Sequence, residues 1–233
     1  MAHTSRHAKG AVQHGFTLIE LLVAVSIMAM MAVMGWRALD GMQQATVQTR
    51  AHTDTVLTLE AGLAQWGTDM DALMELPQTS AIDWDGRAMR LTRRSGTDPA
   101  AGVTVVAWTR GERNGSDQWL RWQSAPARTR QDWQSAWSAA ALWAQSPSDA
   151  AKQREVPISP LAQWQIYYHR GGTWSNPLSS SAESPGSATA NAGDASAELP
   201  DGVRLVLTLP APHPYAGTLT IDWARPTGVR STP

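Results

Sequence analysis

An uninterrupted apolar segment near the N-terminus, FTLIELLVAVSIMAMMAVMGW at residues 16–36, dominates this 233-residue chain. Its only charged residue is Glu20. About 20 apolar residues are enough to cross the hydrocarbon layer of a membrane as a helix. The preceding residues include Arg6 and Lys9 but no acid, and positive charge ahead of a span keeps that end in the cytoplasm. The segment therefore predicts a membrane helix followed by an exported domain.

The acid within this segment sets it apart from two common kinds of apolar N-terminus. A secretory signal peptide has an apolar core of about 7–15 residues and then a small-residue cleavage site, whereas the run here is longer. An uncleaved signal anchor explains the apolarity but not Glu20. A carboxylate inside a membrane helix costs on the order of 2.5–3.5 kcal/mol and typically marks function. Glu20 therefore needs an explanation of its own.

The residues around this acid carry a recognisable signal. The string Gly15-Phe16-Thr17-Leu18-Ile19-Glu20 resembles the type III signal of type IV pilins and type II secretion pseudopilins. The resemblance implies that a prepilin peptidase removes the leader, residues 1–15, by cutting after Gly15, and that Phe16 is then N-methylated. It also implies that Glu20 pairs with the N-terminal amine of an adjacent subunit and sets the axial register of a filament. The alternative is a Glu20 carboxyl that is simply protonated in the bilayer.

The chain beyond residue 36 predicts an α+β domain. No proline occurs before Pro77, so a helix is permitted from Phe16 into the sixties. We expect a transmembrane helix over 16–36 and its amphipathic continuation over 37–75. Apolar residues recur there at spacings of three and four, which places them on one face that needs a sheet to cover it: Val56, Leu59, Leu63, Trp66, Met70 and Leu73. The resemblance implies a pilin-like fold, in which the long helix packs on a C-terminal antiparallel β-sheet domain.

Residues 76–233 have the texture of short strands and turns. Asp85-Gly86 and Asn114-Gly115 each lie between strand-like runs and predict two hairpins. Further elements are predicted as a helix over 129–145 and strands over 164–169, 202–209 and 217–223. Residues 175–198 are rich in Ser, Ala and Gly and lack large apolar side chains, which predicts a disordered loop. Gly35, Gly41 and Gly62 are expected to loosen the long helix.

Other segments resemble one branch of these families, the minor pseudopilin J of type II secretion. They are Trp36-Arg37-Ala38-Leu39-Asp40, residues 84–87 followed by 91–94, and residues 199–209. The resemblance implies a single-pass inner-membrane protein with a periplasmic domain at the tip of a pseudopilus. Its implied partners are the I and K types of minor pseudopilin, with the H type as a further candidate, the major pseudopilin and the prepilin peptidase. A minor pilin of a type IV pilus, used in adhesion or DNA uptake, is the alternative.

The sequence contains none of the common catalytic motifs. GxxxxGK[ST], HExxH, GxSxG and an EF-hand loop are all missing, so we expect no enzymatic activity and no cofactor. The absence of cysteine excludes disulfides and thiol catalysis. His52, His169 and His213 lack ligand spacing, so we expect no metal site from them.

Two pairs of acids and a cluster of arginines leave alternatives open. Asp69 with Asp71, or Asp83 with Asp85, could chelate a cation, although such pairs are more often turns or solvated edges. Nine arginines lie within residues 87–130, interleaved with tryptophans. This pattern suits single-stranded nucleic acid, a protein interface or the outward face of a half-buried sheet. The last two are favoured, so we expect no nucleic-acid partner.

Overall fold

A computed structural model describes three ranges of the chain: 15–96, 99–179 and 199–226. They divide into two units, the first ending at Ala51 and the second starting at His52. A long helix, α1 (Leu18–Asp71), supplies residues to both units. Most of the predicted leader and residues 180–198 of the predicted loop lie outside the described residues.

The helix α1 is continuous because the sequence from residue 18 to residue 71 contains no proline. Its hydroxyl side chains bond back to the carbonyl oxygens one turn earlier. The Ser26 Oγ donates to the Leu22 oxygen at 2.8 Å, and the Thr46 Oγ1 donates to the Met42 oxygen at the same distance. These hydroxyls are therefore satisfied within the helix.

The second unit contains a five-stranded antiparallel sheet, sheet A, with its strands in chain order. They are β1 (Ile82–Trp84), β2 (Ala88–Arg94), β3 (Val103–Arg113), β4 (Ser116–Gln123) and β5 (Glu155–Pro160). Both predicted hairpins are confirmed. The β3–β4 turn places Asn114 and Gly115 at positive φ, 53° and 78°, as a two-residue hairpin turn demands.

A second antiparallel sheet, sheet B, has the order β7-β6-β8-β9. Its strands are β6 (Gln163–Arg170), β7 (Thr173–Ser175), β8 (Gly202–Leu209) and β9 (Gly217–Ala224). The three predicted strands of this region are confirmed. The short β7 was not predicted, and the expected loop was wrong at Ser175, which ends this strand. The strand β5 was also missed, because Pro157 and Pro160 interrupt it; prolines are tolerated there since β5 is an edge strand.

Two helices follow sheet A's first four strands. The helix α2 (Arg130–Gln145) confirms the predicted helix, and α3 (Asp149–Lys152) is a single turn. A capping box starts α2: the Asp132 amide donates to the Thr129 hydroxyl, and the Asp132 carboxylate accepts from the Thr129 amide.

Two apolar clusters hold the second unit together. The larger joins the last turns of α1 to sheets A and B, and the smaller lies between sheet A and α2. Sheet A is therefore covered on both faces. The predicted apolar stripe of α1 is confirmed, since Leu59, Trp66 and Met70 are buried and Leu63 and Leu73 pack against the same cluster. The α+β, pilin-like fold class is likewise confirmed: a long N-terminal helix precedes antiparallel sheets.

Gly62 of α1 faces Ile158 of β5. A Cβ at this position would lie 2.3 Å from the Ile158 Cγ2, a distance that real side chains do not tolerate. The expectation that Gly62 loosens the helix therefore missed its main role, because the absent side chain lets the strand pack directly on the helix.

Candidate functional site

The predicted cleavage bond lies just ahead of α1. Gly15, Phe16 and Thr17 have no regular secondary structure, and α1 begins at Leu18. The Phe16 side chain is 82% exposed. The first helical turn closes when the Glu20 and Leu21 amides donate to the Thr17 oxygen at 3.1 and 3.3 Å. The bond between residues 15 and 16 is therefore an exposed, non-helical target for a peptidase.

The fold itself does not require glycine at position 15. No atom lies within 4 Å of where a Cβ of residue 15 would be, and its backbone is not left-handed. Any demand for glycine at Gly15 must therefore come from another molecule that recognises this position.

Glu20 is an exposed acid in the first turn of α1. Unsatisfied amides at a helix N-terminus carry partial positive charge, which favours a carboxylate there. No cationic side chain among the described residues forms an ion pair with Glu20. The acid is therefore available to a cation from a processed N-terminus or from another chain.

The apolar side chains of the first unit are not packed against protein. The helix is long and apolar enough to cross a membrane, and none of its most apolar 18-residue stretch is buried. Exposed side chains of this kind include Leu18, Ile19 and Met28. Such a surface is stable only in lipid or against apolar helices of neighbours.

A known family motif matches this same N-terminal apolar segment. A model of the prokaryotic N-terminal methylation motif matches residues 11–36. The chain is type IV pilin-like. A search of curated proteins found no match. The prepilin-type motif implies processing by prepilin peptidase and assembly with other pilins. Within the described residues, α1 alone is long and apolar enough to cross a membrane, which fits a single-pass membrane anchor. Pilin-like structural proteins are generally non-enzymatic.

Within the second unit, the structure gives the two acids near the end of α1 separate protein partners. The fully buried Asp69 accepts hydrogen bonds from the Trp108 Nε1 at 3.0 Å and from the guanidinium groups of Arg93 and Arg121. Asp71 instead accepts from the Trp223 Nε1 of β9 at 2.8 Å. The two carboxylates therefore bind different sheets, which contradicts the interpretation of this pair as a cation chelator. The turn or solvated-edge interpretation is wrong for Asp69, which is fully buried within α1.

Asp83 and Asp85, the second acid pair, lie in β1 and in the turn that follows it, as the turn or edge interpretation predicts. The Asp85 Oδ1 accepts from the Arg87 and Ala88 amides at 2.9 and 2.7 Å and so fixes the β1–β2 turn. Asp83 binds the Arg90 guanidinium.

The clustered arginines have several distinct environments. The outward-face interpretation is wrong for Arg93 and Arg121, because α1 covers the face to which they point. Arg90 lies over the Trp137 ring of α2, 5.0 Å from its centroid. Arg113 makes a two-point contact with Glu155 at 2.5 and 2.6 Å, which holds β5 to β3. Sequence reasoning missed these pairs because each joins residues distant in the chain.

The three histidines from which no metal site is expected are His52, His169 and His213. His213 is buried, and its Nδ1 accepts from the Tyr215 amide at 3.0 Å. Burial, with a smaller effect from His52, holds the pKa of His213 below its usual range. Among the described residues, no group of three or more His, Cys, Asp or Glu side chains is arranged to hold a metal ion.

Proposed function

We propose that this pilin-like protein is a minor pseudopilin of a type II secretion system. In this role it caps the pseudopilus with other minor subunits, initiates the filament and supports protein export across the outer membrane. The observation that carries the proposal is the methylation motif at the head of an apolar helix whose side chains are unburied.

The folded domain supports the minor-subunit role. Two sheets and two apolar clusters make it larger than the single small sheet expected of a major pseudopilin. Segments that resemble the J type lie on paired strands: residues 91–94 belong to β2, and residues 199–209 include β8, an interior strand of sheet B. The resemblance therefore involves the framework of the domain.

The assembly chemistry follows from charge in lipid. Cleavage after Gly15 would create an α-amine at Phe16, which precedes Glu20 by four positions in the sequence. A carboxylate and an ammonium group in a low-dielectric layer attract strongly, and each is costly without the other. We propose that Glu20 of one subunit binds the Phe16 amine of its neighbour, so that subunits associate at a fixed axial offset while their apolar helix surfaces pack together. The domain is then on the periplasmic side of the inner membrane, and the energy for assembly comes from another component.

The decisive experiment isolates the mature protein from its native membrane and determines its N-terminus by mass spectrometry. We expect a chain that begins with N-methylated Phe16. Any other N-terminus contradicts the proposal.

A second arm separates the machines. We expect the tagged chain to co-purify with other minor pseudopilins, and its deletion to abolish secretion of an exported protein while leaving pili intact. Loss of pili or DNA uptake with intact secretion would overturn the secretion role. Glu20→Ala should mature normally but fail to assemble, whereas Glu20→Asp, which keeps the charge, should retain part of the assembly. Full secretion by Glu20→Ala would refute the register mechanism.

A further inference from the structure

A cavity of about 540 Å³ opens in the second unit beside the start of β3. The segment after α1 forms one wall, and the segment that joins β4 to α2 forms another. Met74, Leu76 and Trp133 supply apolar surface, and all three pack with the cluster beneath α2. Its volume is within the range of about 300–1,000 Å³ that is usual for ligand pockets. We call it the arginine cavity because three arginines line it.

Three exposed arginines line this cavity: Arg94, Arg128 and Arg130. No acidic residue is among its described lining residues. The arginines of the neighbouring strands differ, since Arg93 and Arg121 bind Asp69 and Arg113 binds Glu155. The three cavity arginines form no ion pair within the described part of the chain, and the Arg130 side chain donates to the Gln78 amide oxygen.

The arginines and the apolar side chains of this cavity determine which kind of ligand it can bind. Three guanidinium groups around one opening repel each other and attract a carboxylate, which a guanidinium binds through two parallel hydrogen bonds. The apolar surface beside them favours a buried aliphatic or aromatic group. The Trp133 Nε1 already donates to the Thr92 hydroxyl, so the indole offers its apolar ring to the cavity. The fitting ligand therefore carries carboxylates next to an apolar side chain.

We propose that the arginine cavity binds an acidic peptide segment of a neighbouring pilin-like subunit, which places an apolar side chain on Met74, Leu76 and Trp133. Tryptophan, arginine and methionine are the residue types enriched where proteins bind each other, which favours a peptide over a lipid or a nucleic acid. This inference rests on the proposed assembly function, and it names the surface that would recognise the next subunit.

The test places a photo-crosslinking amino acid at Thr79, which lines the cavity, in the full-length chain within its native membrane. A crosslinker at the exposed Asp149 serves as the positional control. We expect the Thr79 probe to capture a pilin-like subunit, with the crosslinked peptide of that subunit rich in Asp or Glu. Capture only of lipid, capture only of nucleic acid, or no capture would overturn the proposal.

Charge reversal gives the second arm. Arg94→Glu with Arg128→Glu should lower the Thr79 crosslink at least about tenfold, because it replaces attraction for carboxylates with repulsion. Arg154→Glu reverses an exposed arginine outside the cavity and should leave the crosslink unchanged. The reversed residues are exposed, so the resistance of the domain to chymotrypsin, which does not cleave at arginine, should match the wild type. An unchanged crosslink after reversal, or an equal loss in the Arg154 variant, would refute the proposal.

Different results would refute the proposed function and the role of the arginine cavity. If the wild-type chain does not begin at Phe16, or does not co-purify with pilin-like subunits, the proposed function fails. If it does both while the Thr79 probe captures no subunit, only the role of the arginine cavity fails.

Discussion

Arg121 of β4 meets the buried carboxylate of Asp69 from α1 in a two-point contact, with Nε to Oδ2 at 2.7 Å and Nη2 to Oδ1 at 2.9 Å. The same carboxylate accepts from the Trp108 Nε1 and the Gln65 Nε2, and it binds Arg93. One acid of the helix therefore holds three adjacent strands of sheet A. Because all these donors converge on it, the helix can dock in only one rotation about its axis.

Removing this charge should destabilise the domain strongly. Asp69→Asn leaves two arginines in a largely buried site without their anion, and breaking a buried ion pair from one side typically costs about 3–5 kcal/mol. We expect a loss of about that size in the free energy of unfolding, measured by urea titration of the detergent-solubilised full chain with tryptophan fluorescence. Asp54→Asn changes an exposed acid of the same helix and should stay within about 0.5 kcal/mol. Equal effects of the two substitutions would contradict the role of Asp69.

Adding one methyl group between α1 and β5 should also destabilise the domain. Gly62→Ala brings a Cβ to 2.3 Å from the Ile158 Cγ2, and overpacking of this kind costs about 1–3 kcal/mol. Gly67→Ala is the matched control, since open space surrounds its Cβ position in the same helix and alanine favours helix by about 1 kcal/mol. The same urea titration should give opposite signs for the two variants. Ile158→Ala in the Gly62→Ala background should recover part of the loss, and a failure to couple would disprove the contact.

Glu155 should contribute a pH-dependent part of the stability. Its burial raises its pKa, but hydrogen bonds from Arg113 and Trp143 outweigh this effect and hold the pKa below its usual value of 4.5. The folded state therefore binds the Glu155 proton more weakly than the unfolded state does. Its stabilisation is complete above pH 4.5 and is lost as the pH falls through the lower, folded-state pKa.

The substitution Glu155→Gln isolates this effect. We expect a lower midpoint of thermal unfolding at pH 7 and a smaller further decrease between pH 5 and pH 3 than in the wild type. Glu112→Gln, which changes an exposed acid of β3, should leave the pH profile of the wild type intact. A Glu155→Gln profile parallel to that of the wild type would show that the group does not titrate as described.

Processing should depend on glycine at position 15 and not on glycines of the helix in general. Gly15→Ala should reduce maturation to a small residual fraction, visible as the larger precursor on immunoblots of membranes. Gly35→Ala has equally open surroundings and should mature normally. Because neither substitution creates a clash, a defect limited to Gly15 identifies recognition by the peptidase. Normal maturation of Gly15→Ala would count against a prepilin peptidase.

The local patterns of the sequence determined a large part of this protein. The cleavage string ending at Glu20, the apolar segment and the absence of proline before Pro77 led to a long N-terminal helix with a methylation motif. Alternating apolar residues and the dipeptide Asn114-Gly115 led to strands and a hairpin. These features are readable because the chemistry that produces them acts between residues close together in the chain.

Only the tertiary structure decided what the charged residues of the domain contact. Asp69 and Arg121 are 52 positions apart, and nothing in either neighbourhood shows that they meet. The same holds for Gly62 against Ile158 and for the arginines that converge on one cavity. Strand order and helix rotation set these distances, and both follow from how two sheets and two helices bury their apolar faces together. That outcome depends on the whole chain and leaves no local pattern in the sequence.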